Sequence, residues 1–552
     1  MSPAPTLPES LDLSHHVNKR IRTVQPSAMK AMGALLQNKN LLSLGGGTPH
    51  PSLFPMSHTT FTLPTLQSLD GDVDDWKEGT APTEEIHLKK TGPGTELDEG
   101  GVLDLSVILQ YGLSNGYREL VDKLEEINLL LHGKTISDAS VYVTLGNTDG
   151  VSKVFQLLVE PDVDTVLTEG YSFSSSLNSA RAKGAKVYPV RIDEHGLDPV
   201  DFEHVLSSWD ETTQGRKPHI LYTIPCGQNP TGTIQPQERY DAIYAVAQKH
   251  DVIIVEDDPY FPLQFTSYEP DITKRAEQLK EARAKMPPPP SKAEQDDPAA
   301  IAKVFNEYAA VKSYLSRDVD GRVIRIDTFS KVFGPGVRLG WVSANSLFVE
   351  RLLRIGETST QIPNGFSQAV LASYLSDKHW GIGGFIRWMW GVRLEYQAKR
   401  DFFLDKFREF VPSDLVSTTP CGAGMFQWLK VEVTKHPRFR RTPLPIGGGP
   451  VDLGSDTVEN DTTVTPPGLE TKTESTEYTT NTSELVDELW SFLLEQHTVL
   501  VLPAKAFLVS KPGVDRSADL NFFRATFAGD HEGIDKALAA FGKGIKAWFA
   551  RG

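Results

Sequence analysis

Short runs of β-branched and aromatic residues recur through the first two thirds of the chain, and stretches of helical period separate them. Residues 141–144, 165–168, 186–190, 219–223, 252–255 and 323–326 read as strands; 150–160, 175–183 and 236–250 read as helices between them. This alternation predicts an α/β architecture whose mainly parallel sheet is flanked by helices on both faces. Three stretches break the pattern because they are polar, charged or proline-rich: about 66–100, about 271–300 with four prolines in a row at 287–290, and about 437–481, rich in Thr, Glu and Gly. Weak hydrophobicity does not offset the entropy of ordering a chain, so these are expected to be surface excursions rather than core elements.

At 552 residues the chain has room for two domains and a large core, and its 39% apolar content is that of a globular protein. A formal net charge of -16 argues against nucleic acid or an anionic membrane as partner. No uncharged apolar run reaches the length of a spanning helix, and the N-terminus lacks the basic-then-apolar pattern of a secretory signal. With only Cys226 and Cys421, neither a disulfide framework nor a cysteine-rich metal site is expected. A cytoplasmic enzyme without a metal is the simplest expectation.

The chemistry concentrates around Lys331. Thr328 and Ser330 lie three and one residues before it, Arg338 lies seven after it, and Gly334, Pro335 and Gly336 between them favour a tight turn open to a ligand. The preceding run 323–326 brings this lysine out at a strand end, where α/β sheets place ligands. A lysine forms a Schiff base with an aldehyde, and the surrounding groups suit a phosphate; pyridoxal 5'-phosphate carries both. Such a coenzyme needs a carboxylate to keep its pyridine nitrogen protonated, and Asp257 follows an apolar strand directly. Tyr260 and Asn229 are placed to hydrogen-bond the ring's phenolic oxygen. The turn from Leu145 to Gly150 opens a helix whose N-H groups suit a phosphate. Phe173 and Tyr171 compete as the ring that stacks on the coenzyme. Arg524, in an aromatic run, is suited to a bidentate grip on an α-carboxylate, with a structural ion pair as the plainer role.

These residues, with Gly-Gly-Gly-Thr-Pro at 45–49, Gln-Tyr-Gly at 110–112, Asn-Pro-Thr-Gly at 229–232, Glu-Asp-Asp-Pro-Tyr at 256–260 and Phe-Arg-Ala at 523–525, resemble the class I and II aminotransferases of fold type I. The likeness is greatest to the subgroup of fungal aromatic amino acid and kynurenine/2-aminoadipate aminotransferases. The resemblance implies Lys331 as the Schiff-base lysine, Asp257 as the pyridinium partner, and Tyr260 and Asn229 on the phenolic oxygen. It implies Asn147, Thr148, Thr328, Ser330 and Arg338 around the phosphate, Gly46, Asn229 and Arg524 around substrate, and Tyr111 reaching across a homodimer interface. It also implies a large coenzyme-binding domain over 111–360 and a smaller α+β domain from 1–110 and 361–552. Phe173 takes the stacking position by ungapped spacing. Where adipate-handling relatives carry an N-terminal arginine, this chain has Val24, with Arg20 and Arg22 nearby, which tilts the expected donor towards aromatic or bulky apolar amino acids.

The expected reaction is ping-pong transamination between such an L-amino acid and a 2-oxo acid, 2-oxoglutarate being commonest in the family. Two rivals stand beside it. Another reaction of the same coenzyme, such as β-elimination, would use the same grip. A regulator fused to a DNA-binding domain would need more chain than the fewer than about 45 residues ahead of the Gly-Gly-Gly segment.

Overall fold

The computed structural model describes residues 7–27, 47–70, 73–91, 102–291, 296–443, 478–511 and 514–551. Its centre is a seven-stranded sheet of β1 (Ala139–Thr144), β2 (Thr165–Glu169), β3 (Lys186–Val190), β4 (Ile220–Thr223), β5 (Ile253–Asp257), β6 (Val323–Thr328) and β7 (Gly340–Asn345), in the order β1-β7-β6-β5-β4-β2-β3. The neighbours β6-β5, β5-β4, β4-β2 and β2-β3 run parallel, whereas β7 is antiparallel to both β1 and β6. The mainly parallel sheet is as the alternation predicts. Strand β7 escapes that reading because it follows β6 through a short loop instead of a crossover helix, so it runs back down the sheet.

Both faces are covered, which is why the central strands bury apolar residues on either side. Ile220, Ile253, Val255, Ile324 and Ile326 pack with Val151, Val154 and Phe155 of α2 (Asn147–Leu158) on one face. Leu221, Ile254 and Val323 pack with Tyr240, Ile243 and Ala247 of α4 (Gln237–His250) on the other, and Val141 and Val143 of β1 meet Leu120 and Leu124 of α1 (Arg118–His132). Helix α3 (Ser174–Ala182) follows β2. The predicted helices at 150–160, 175–183 and 236–250 fall on α2, α3 and α4.

A second, four-stranded antiparallel sheet is built from β8 (Val416–Thr418), β9 (Phe426–Val431), β10 (Leu502–Pro503) and β11 (Phe522–Thr526), in the order β8-β9-β11-β10. Helix α9 (His531–Phe549) packs on α7 (Gly381–Phe410) and on α8 (Thr482–His497) beside it.

Two of the three expected excursions carry more order than their composition suggests. The first holds a strand, Thr83–Lys89, paired along its whole length with His58–Pro64 and burying Ile86 and Leu88. The second holds α5 (Ile272–Lys285), which buries Ala282 and ties Arg275 to Asp405 of α7, and the start of α6 (Pro298–Tyr308). In both, a few apolar positions at strand or helix spacing anchor an otherwise charged segment, and average polarity hides them. The third lies mostly outside the described residues, but its two ends meet as an antiparallel pair, Arg441–Pro443 with Tyr478–Thr480.

Candidate active site

The period of two along β5 and β6 sorts the charged residues at their C-terminal ends. Ile253 and Val255, with Ile324 and Ile326, face α2, and the same parity delivers Asp257 and Thr328 to that side. The intervening residues face the other way, where the fully buried Arg325 guanidinium holds Asp258 at 2.9 Å, Glu256 at 3.2 Å and Asp327 at 2.7 Å. Burial pushes all three of those carboxyls up, and Arg325 opposes the shift. This cluster fixes the strand ends behind the site.

Asp257 is buried and held on both oxygens: the Asn147 amide donates to Oδ1 at 2.6 Å and the Tyr222 hydroxyl to Oδ2 at 2.6 Å. Burial raises its pKa, while those two donors and the nearby Lys331 charge favour the carboxylate. Tyr222 is a partner that the sequence reading missed. Its signal was present, since Ile220 and Tyr222 share a parity in β4, but only the register of β4 on β5 tells which acid the phenol meets.

Beyond Thr328 the chain makes a single turn, Phe329–Lys331, capped by the Thr328 hydroxyl accepting from the Ser330 N–H at 3.1 Å. Lys331 therefore leaves the sheet at the end of β6, half-buried, with Nζ 5.8 Å from the centre of the Tyr260 ring. Among the described residues no carboxylate pairs with it. Burial lowers its pKa, Asp257 opposes this, and Arg338 and Arg524 add to the lowering.

The same loop returns to β7 through Arg338, whose backbone is left-handed at φ 47°. Its guanidinium donates to the carbonyls of Pro335 at 3.0 Å and Leu145 at 2.9 Å, which sets it over the start of α2. Gly146 caps that helix with φ 90°, and a Cβ there would lie 3.1 Å from Arg338 Nη2. The positive φ is what calls for glycine, and the absent side chain leaves Arg338 its place. Thr328 Oγ1 and Ser330 Oγ, 2.9 Å apart, Arg338 and the free N–H groups opening α2 thus form one cradle of donors. Thr148 is exposed in the first turn of that helix, whereas the Asn147 side chain turns to Asp257.

From the second sheet, Arg524 on β11 reaches the large sheet's loops and donates to Asn229 Oδ1 at 2.7 Å. Its guanidinium lies 4.2 Å from the Phe426 ring centre and 4.9 Å from that of Phe507, half-buried, with no ion pair among the described residues. Tyr260 is buried edge-on against Phe426, 5.9 Å between centres, and burial pushes its phenol up, with Asp257 adding to the rise. Tyr171 is occupied elsewhere: its hydroxyl binds the Asp519 carbonyl and its ring packs on Trp428 and Phe522. Phe173, half-buried at the head of α3, packs beside the core under the site. Tyr111 is 67% exposed. Gly46 lies outside the described residues.

Lys331, buried Asp257, the donor cradle and Arg524, which has no ion pair among the described residues, gather where strands of the large sheet end, an arrangement suited to a phosphate-bearing coenzyme and a carboxylate ligand. The chain belongs to the aminotransferase class I and II family, whose model matches residues 95–541. It is 35% identical to the L-tyrosine:2-oxoglutarate aminotransferase of Serpula lacrymans over 98% of this chain and 96% of that one. It is 36% identical to an aromatic amino acid aminotransferase of Schizosaccharomyces pombe over 77% and 83% of the two chains. Among solved structures, aminotransferase Aro8 from Candida albicans superposes with a TM-score of 0.77 at 30% identity, covering 98% of this chain and 99% of that one. The protein is an aminotransferase of fold type I with pyridoxal 5'-phosphate as cofactor, and its residues fit that group: an amine for the aldehyde, an acid for the ring nitrogen, a cradle for the phosphate. No helix among the described residues is long and apolar enough to cross a membrane.

Proposed function

We propose that the chain transaminates aromatic or bulky apolar L-amino acids against 2-oxoglutarate in two half-reactions at the Lys331 site. Arg524 carries this reading: a cation lodged between Phe426 and Phe507, bonded to neutral Asn229 and paired with no acid among the described residues, suits a ligand that brings both a carboxylate and an aromatic group. The names of the Serpula and Schizosaccharomyces relatives support the same substrates. Arg22 offers no grip on a distal carboxylate, because its guanidinium is directed at the Val17 and His15 carbonyls of its own segment.

When bound, pyridoxal phosphate supplies the aldehyde that captures the amine and a ring that accepts electrons from Cα. Lys331 Nζ, with its pKa lowered, would take the proton from Cα of the donor in the first half-reaction and deliver one to Cα of the new amino acid in the second. Asp257 holds the proton on the ring nitrogen, with Tyr222 and Asn147 holding Asp257. Tyr260 and the Asn229 amide orient the phenolic oxygen, while Thr328, Ser330, Arg338 and the α2 backbone around Asn147 and Thr148 hold the phosphate. With Tyr171 engaged, Phe173 is the stacking ring. The reading includes a cytoplasmic homodimer in which exposed Tyr111 serves the partner's site, a substrate role for Gly46, and a division of the chain near residues 110 and 360.

The test pairs Lys331→Ala with a panel of twenty amino donors, followed by oxo-acid release. Wild type should process tyrosine, phenylalanine and tryptophan ahead of aspartate and 2-aminoadipate. The variant should lose turnover, and borohydride should no longer fix cofactor mass on residue 331. Full turnover by the variant would sink the lysine assignment, and a preference for 2-aminoadipate would sink the substrate.

A further inference from the structure

At the opposite end of the strands from Lys331, the N-terminal segment docks on the large sheet and its helices. Leu13 and Val17 are buried in the core, and between them a single turn, Ser14–His16, presents two imidazoles to the large domain. His15 Nε2 lies 2.7 Å from Asp251 Oδ2, and His16 Nε2 lies 3.1 Å from Asp251 Oδ1. Asp251 caps α4 in a left-handed conformation at φ 54°. The three donor groups all lie within 4.8 Å of one another.

Behind them runs a buried chain. His16 Nδ1 faces His219 Nδ1 at 2.9 Å, and His219 Nε2 faces Asp164 Oδ2 at 3.2 Å; both rings and Asp164 are buried. The contacts Asp251–His16, His16–His219 and His219–Asp164 each require one proton between two acceptors. Two neutral imidazoles carry only two. Either one buried ring takes on an extra proton, or a cation replaces the proton facing Asp251. With a metal there, His16 Nδ1–H donates to His219 Nδ1 and His219 Nε2–H donates to Asp164, so both neutral rings are satisfied in one tautomer. That is the outer arrangement metal-ligating histidines use to fix their lone pair on the ion.

We infer that His15 Nε2, His16 Nε2 and the Asp251 carboxylate form a site for a divalent transition ion of the zinc kind, backed by the His219–Asp164 relay. Two imidazoles and a carboxylate match the donors zinc prefers, with water as fourth ligand. His15 and Asp251 are half-exposed, at 52% and 53%, so both can open the few tenths of an ångström that tetrahedral bonding needs and leave a path for entry. Arg322 lies 3.6 Å from Asp251 Oδ1, but its charge is engaged by Asp320 at 2.9 Å, and Oδ2 on the His15 side is the ligand atom. His219, Asp164 and Asp251 each precede a strand whose far end lies at the cofactor site, about 16 Å away for five residues. The ion is therefore a clasp for the N-terminal segment and takes no part in transamination.

The test uses untagged holoenzyme stripped of metal. Zinc uptake is measured by competition with a chromophoric chelator, and cobalt is used as a visible reporter of tetrahedral geometry. Wild type should bind one tight zinc per chain, give a tetrahedral cobalt band and unfold at a higher temperature with zinc. His15→Ala and Asp251→Asn, both half-exposed and the latter compatible with the left-handed cap, should each weaken zinc at least tenfold and abolish the thermal shift, with transamination unchanged. Absence of tight uptake by wild type, or uptake that these variants leave unaltered among the 14 histidines of the chain, would overturn the site. Because the readout is metal binding, its failure is separate from any failure of the substrate assignment.

Discussion

At the scale of single residues, Asp257 shows how a buried carboxylate is tuned by the neighbours that hold it. Burial alone favours its neutral form; the phenol of Tyr222 and the amide of Asn147 counter this from either oxygen. Hydrogen bonds to a charged group are worth about 1.5–3 kcal/mol, so Tyr222→Phe should weaken cofactor binding by roughly tenfold or more while leaving the fold intact. Titrating the stripped variant with pyridoxal phosphate measures this, and unchanged affinity would show that the phenol does not matter. The loop residues Lys331, Asn229, Tyr260 and Arg338 were legible in the sequence because their chemistry is uncommon and they crowd at strand ends. Tyr222 was not, since a tyrosine inside an apolar strand reads as core until its neighbouring strand is known. Asn147 was legible as a helix opener, but its choice of Asp257 depends on contacts across the sheet.

At the scale of elements, the alternation of apolar residues gave away strands β1 to β6 and helices α2 to α4, because each buries a continuous or periodic face. It concealed β7 and the strand Thr83–Lys89, whose partners and not whose composition make them strands. Strand β2 also carries a consequence for stability. It ends in Glu169, which is buried and accepts from the Thr223 hydroxyl at 2.5 Å and the Ile224 N–H at 2.9 Å. Burial, opposed by those donors, raises its pKa to about 7. A raised acid stabilises the folded state fully below its unfolded value and loses that contribution as pH climbs through the folded one. Between about pH 4.5 and 7 this group should cost on the order of 3 kcal/mol, and Glu169→Gln should flatten that part of the stability profile. Chemical unfolding of both proteins at pH 5 and pH 8 tests it; equal slopes would refute the buried acid.

At the scale of the whole molecule, the pair Arg441–Pro443 with Tyr478–Thr480 brings the ends of the third excursion side by side. Replacing residues 444–477 with an Asn-Gly turn should therefore preserve folding and turnover, with unfolding temperature and specific activity as the measures; a collapse of either would assign that stretch a necessary role. A second long-range contact spans the two sheets, since Arg524 and Asn229 stand 295 positions apart in sequence. A carboxylate ligand that captured the arginine would compete with this strut. Ligand occupancy and the contact between the two sheets would then belong to a single thermodynamic cycle, in which anything that strengthens the strut loosens the grip on the ligand by an equal free energy.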